Sequence, residues 1–119
     1  MDNKLKKYGV LALKALVAAA FVAAGLAKLA GVQMMVDTFE AVGLGQWFRY
    51  LTGIIEVSSA VLLFVPGKQA YGAALLVCTM IGAVMAHLFI LGPSAVPALV
   101  LGILSALILF VHREQILAA

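Results

Sequence analysis

Charge and cysteine are both scarce in this chain. Of 119 residues only 11% are Asp, Glu, Lys or Arg, and the single cysteine, Cys78, lies inside an apolar run. One thiol cannot form an internal disulfide, so a two-thiol redox cycle run by this chain alone is excluded. Eight Lys and Arg against five Asp and Glu leave a formal charge of +3. These basic residues are scattered rather than gathered on one face, which argues against a nucleic-acid surface. No haem, flavin or metal motif is visible. His87 and His112 fall near opposite faces of the expected membrane, where they cannot share a metal, and Met34, Met35, Met80 and Met85 read as packing and interfacial residues.

What remains is apolar. Hydrophobic residues make up 66% of the chain and the mean hydropathy is +1.17, far above a soluble domain of this size. Four apolar stretches, at about residues 8–28, 48–65, 69–91 and 95–111, approach the ~20 residues needed to cross the hydrocarbon. The sequence therefore predicts an all-α fold, an integral membrane four-helix bundle forming a single unit over residues 1–119. Lys4, Lys6 and Lys7 before an apolar run imitate a secretory signal, but we read this segment as a retained first span. Between spans one and two, Val32, Met35, Val36 and Phe39 recur at helical spacing opposite Gln33, Asp37 and Glu40. That is a short amphipathic helix on the membrane surface or capping the bundle.

The punctuation agrees with these boundaries. Pro66-Gly67 ends span two, Gly92-Pro93-Ser94 ends span three, and Pro97 sits in the first turn of span four, where its missing N–H costs nothing. Lys4, Lys6, Lys7, Lys14, Lys68 and Arg113 fall on one side, and only Lys28 and Arg49 on the other. By the positive-inside rule both termini are cytoplasmic.

At a rise of ~1.5 Å per residue, Glu56 lies roughly 12 Å below the outer start of span two and His87 roughly 6 Å below the outer end of span three. Lys28 closes span one at the same outer level. Lys28, Arg49, Glu56 and His87 thus form a candidate polar cluster in the outer half. An ionised group at the bilayer centre costs about 2.5 to 3.5 kcal/mol on insertion scales, so Glu56 needs a partner or water. Lys28 is the first choice by depth and Arg49 the second. Taken singly, Lys28 and Arg49 also read as side chains snorkelling to the interface. Gly25, Gly53, Ala60 and Ala83 lie on the same faces and predict close helix packing.

The strings "FVAAGLAKL" from Phe21, "GIIEVSSAVLL" from Gly53 and "MIGAVMAHL" from Met80, with Gly43-Leu44 between the first two, resemble the DoxX/DoxD-like family of small bacterial membrane proteins. The resemblance covers about residues 21–90 and implies a four-helix membrane bundle with Lys28, Glu56 and His87 on motif positions. It also implies a redox association: some members look like subunits of thiosulfate:quinone oxidoreductase, others accompany redox partners in membrane complexes, and distant eukaryotic relatives act as receptor assembly factors. No soluble catalytic domain is visible, so the chain is expected to be an accessory rather than an enzyme on its own. Its expected surroundings are the lipid bilayer and a protein partner in a membrane redox complex, with homo-oligomers left open.

Three functions follow. In the first, Lys28, Glu56 and His87 line an outward-facing pocket for a polar head group, with quinone as the cofactor. In the second, a non-enzymatic scaffold or assembly factor, those residues form only an ion pair and the segment around Phe39 recruits a partner. The third is a small proton-coupled exporter, disfavoured because six basic residues face two and a dual-topology assembly needs a weak bias.

Overall fold

α1 (Asn3–Ala30) is a single helix of 28 residues. The computed structural model to which it belongs describes residues 3–92 and 94–118; Met1 and Asp2 of the basic head, Pro93 of the turn after span three, and Ala119 lie outside the described residues. Lys, Leu and Ala are strong helix formers. The basic segment expected to precede the span is therefore itself helical, with Lys4, Lys6 and Lys7 in the first turns. α1 stops at Gly31, which adopts φ +73°. Its N–H bonds the Lys28 carbonyl at 3.3 Å while that of Val32 reaches back to Ala27 at 3.1 Å, the paired closure of a glycine C-cap.

α2 (Gln33–Val42) is the expected amphipathic helix, with Phe39 as its buried residue. Phe39 is only 7% exposed and meets the Phe48 ring edge-on at 5.9 Å between centroids. This corrects one expectation: Phe39 fastens α2 to the rest of the chain and is not displayed for a partner.

α3 (Gln46–Leu62) has 17 residues. The expected span ran to Val65, but the chain leaves the helix earlier. Phe64 and Val65 bond back three residues, to Val61 at 3.0 Å and Leu62 at 3.1 Å. A residue before proline avoids the α region, so the approach to Pro66 tightens into turns. α4 (Gln69–Ala86) continues into a five-residue π-helical turn, His87–Leu91, closed by Gly92 N–H on the His87 carbonyl at 3.0 Å. α5 (Val96–Val111) starts with the Ser94 hydroxyl oxygen accepting the Val96 N–H at 3.0 Å and with proline in its first turn. A short α6 (Glu114–Leu117) follows.

α1 packs on α3, α3 on α4, α4 on α5, and α5 returns to α1. Their shared core holds Val17, Phe21, Leu63, Leu76, Met80 and Ile108. Two helical stretches, Asn3–Ala30 and Gln69–Leu91, are long and apolar enough to cross a membrane. α3 and α5, at 17 and 16 residues, are shorter than the expected spans.

Candidate functional site

α1 and α3 run antiparallel. Lys14 near the start of α1 lies 5.9 Å from the Phe64 ring just past the end of α3, Gly25 faces Gly53, and Lys28 near the end of α1 meets Arg49 near the start of α3. Side chains on a helix lean toward its N-terminus. On two antiparallel helices, Lys28 and Glu56 therefore lean toward each other from one turn beyond the glycine contact.

Lys28 Nζ lies 2.7 Å from Glu56 Oε1, with the side chains 12% and 2% exposed. The Lys28 ammonium thus meets the Glu56 carboxylate directly, and this charge contact accounts for the buried Oε1. One turn along the same face, the Ser59 hydroxyl is fully buried and has no partner among the described residues. A buried polar atom without a partner costs roughly 1 to 3 kcal/mol. One beside a buried ion pair marks a place with unused hydrogen-bonding capacity.

Arg49 does something the sequence did not suggest. It is 5% exposed, so it neither snorkels to an interface nor serves as the contact partner of Glu56. Its Nη1 donates to the Lys28 carbonyl and its Nε to Gln46 Oε1 at 2.7 Å, while the guanidinium carbon sits 4.3 Å from the centre of the Tyr50 ring. The Lys28 carbonyl belongs to the last turn of α1, where carbonyls lack helical partners and cations are favoured. Gln46 then donates from Nε2 to the Val36 carbonyl at 3.0 Å, carrying the network to α2. Sequence reasoning missed Gln46, Ser59 and this network; a glutamine at a helix start looks like ordinary surface.

The other expected site residues fall as follows. Gly25, Gly53 and Ala60 are buried and Ala83 is partly buried against the core. His87 is partly exposed where α4 becomes the π turn, which packs on α2 at the Lys28–Arg49 end. Two grooves lie elsewhere: an apolar one of about 200 Å³ between α4 and α5, and one of about 350 Å³ along the first turns of α1. Neither is lined by Lys28, Arg49, Glu56 or His87.

An all-helical chain with two membrane-length apolar helices and a buried Lys–Glu pair between neighbouring helices defines a class more than a function. The match of a family model over residues 12–111 narrows it: the chain belongs to the DoxX-like family. The search of curated proteins gave no match, and neither did the search of solved structures.

Proposed function

We propose that the chain is a four-span protein of the bacterial inner membrane, with both termini cytoplasmic, acting as an accessory subunit of a redox-linked membrane system. Membrane embedding is supported by an inverted surface. Leu16, Leu26, Ile54, Ile81, Ile103 and Leu107 are all at least half exposed, while Glu56, Ser59 and Ser105 are at most 1% exposed. The longest dimension, 47 Å, matches a bilayer with its head groups. α3 and α5 cross as short spans, by local thinning of the bilayer and by neighbours covering their ends.

Within that frame Lys28, Glu56 and Ser59 offer a polar seat for the oxygenated head of a quinone, with His87 as a further donor from span three. The observation that carries this reading is the buried, unpartnered Ser59 Oγ one turn from a buried ion pair whose lysine side chain keeps 12% of its surface open. Lys28 and the Ser59 hydroxyl can donate to a carbonyl oxygen, and Glu56 can accept a proton from a hydroxyl. Intramembrane carboxylates are uncommon and concentrate in such roles.

The scaffold reading keeps one observation in its favour, the Arg49–Gln46 network, which ties α1, α2 and α3 together with no ligand. Trp47, the only tryptophan, reports on both. Titration of decylubiquinone into the chain in phosphatidylcholine nanodiscs is expected to quench Trp47 saturably, and Glu56→Gln is expected to abolish that saturation in chain that is less stable but still folded at the assay temperature. Equal binding by Glu56→Gln would leave the scaffold reading in possession.

A further inference from the structure

The groove along the first turns of α1 lies at the opposite end of the molecule from Lys28 and Glu56. Lys7, Leu11 and Lys14 fall at i, i+4 and i+7 and share one stripe of α1. The end of α5 and the residue after it complete the groove, with Val111 forming an apolar wall and His112 a polar end. Lys14 Nζ sits 3.5 Å from His112 Nε2, so the ammonium can donate to a neutral imidazole and the two side chains close that end of the groove together. Lys6 lines the same groove. No carboxylate among the described residues pairs with Lys6, Lys7 or Lys14.

Among the described residues the groove is short of negative charge. Burial first, and then the neighbouring Lys14 charge, hold the His112 imidazole below its ordinary pKa. An anion placed between Lys7 and Lys14 supplies a counter-charge that no described carboxylate provides. A soluble anion has no use for the apolar side of the groove, whereas a phospholipid uses both parts: phosphate against the lysines and the first methylenes of its chain along Leu11 and Val111. The volume, about 350 Å³, suits a head group with the start of one acyl chain.

We propose that this groove is a binding site for one anionic phospholipid of the cytoplasmic leaflet, its phosphate held by Lys6, Lys7 and Lys14. This goes beyond the quinone seat and rests only on the membrane reading. Basic pockets between helices on the cytoplasmic side are suited to such head groups.

The test uses the full chain in nanodiscs of phosphatidylcholine alone or with phosphatidylglycerol, followed by native mass spectrometry of the lipid retained on release. Recovery of folded chain in phosphatidylcholine alone tests membrane insertion separately from the site. One phosphatidylglycerol is expected to be retained in preference to phosphatidylcholine. Lys7→Gln and Lys14→Gln should each reduce the preference about fivefold, the worth of one lysine near an anionic surface. Lys68→Gln, at the same end but outside the groove, should leave it unchanged. Lys7 is exposed on α1, so its replacement keeps the test open if Lys14→Gln fails to fold. Equal retention of the two lipids overturns the proposal, as does an equal loss in Lys7→Gln and Lys68→Gln. Displacement of phosphatidylglycerol by millimolar inorganic phosphate would reassign the groove to a free anion and also overturn it.

Discussion

Gly25 and Gly53 approach each other so closely that a Cβ on either would sit 2.9 Å from the carbonyl oxygen of the other. Lys28 follows Gly25 by three residues and Glu56 follows Gly53 by three. In antiparallel helices these equal offsets put lysine and glutamate on opposite sides of the glycine contact, and the N-terminal lean of each side chain brings their ends together. The ion pair is thus set by backbone proximity, and two residues without side chains determine how two charged ones meet.

Replacing Gly25 by Ala forces a new methyl to within 2.6 Å of Val57 Cγ2 as well as against the Gly53 carbonyl. Overpacking of this kind costs about 1 to 3 kcal/mol. Gly82, where an added Cβ would have nothing within 4 Å, is the internal comparison, and Ala there should stabilise by about 0.5 to 1 kcal/mol. Reversible unfolding in mild detergent measures both. A Gly25→Ala variant as stable as Gly82→Ala would mean that α1 and α3 do not touch at this point.

The Lys28–Glu56 pair is deeply buried, so losing one member should hurt more than losing both. Lys28→Met leaves an uncompensated carboxylate and is expected to cost about 3 to 5 kcal/mol, whereas Lys28→Met with Glu56→Met should recover most of that loss. A double-mutant cycle on the unfolding free energy reads the coupling directly. Additive costs would show that the two side chains act independently.

Much of this architecture is legible in the residues, for physical reasons that also mark where legibility ends. Helical rise alone puts Lys28 and Glu56 at compatible depths, because depth depends only on counting from a helix end. The family strings between Phe21 and Leu88 fall inside the matched segment 12–111. Arg49 is harder. Its charge can go to a carboxylate, to an interface or to a helix terminus, and only the place where α1 stops, at Gly31, selects the last. Gln46 and Ser59 carry no periodicity signal, since one polar residue is tolerated almost anywhere on a helix. The π turn at His87–Leu91 is invisible for a similar reason, one extra residue per turn leaving no mark in an all-apolar run. The early end of α3 was readable in principle from Pro66, whose influence extends upstream.

Arg49 spans Gln46 and the Lys28 carbonyl with two different nitrogens of a rigid fork. Lysine presents a single point of charge and cannot hold both. Arg49→Lys is therefore expected to destabilise by about 1 to 3 kcal/mol, the worth of a hydrogen bond to a charged group. Gln46→Ala should lose a similar share, and the two changes together less than their sum. Amide exchange at Gly31 and Val32, which close α1, should quicken in each variant. Unchanged protection there would remove Arg49 from the closure of that helix.

His112 provides a pH signature at the other end of the molecule. Its pKa is lowered from 6.5, first by burial and then by the charge of Lys14. The folded chain consequently binds a proton at His112 less readily than the unfolded chain does. The stability this group contributes is fully present above pH 6.5 and is lost as the pH falls from there toward the folded pKa. Lys14→Met removes one of the two causes, so the His112 imidazole should titrate at a higher pH, closer to 6.5, and the acid side of the stability profile should flatten. Titration of the imidazole Cε1 proton by NMR, in the wild type and in Lys14→Met, follows the group itself rather than the whole chain. Identical curves in the two proteins would show that the Lys14 charge does not reach His112, and would leave burial as the only cause of its lowered pKa.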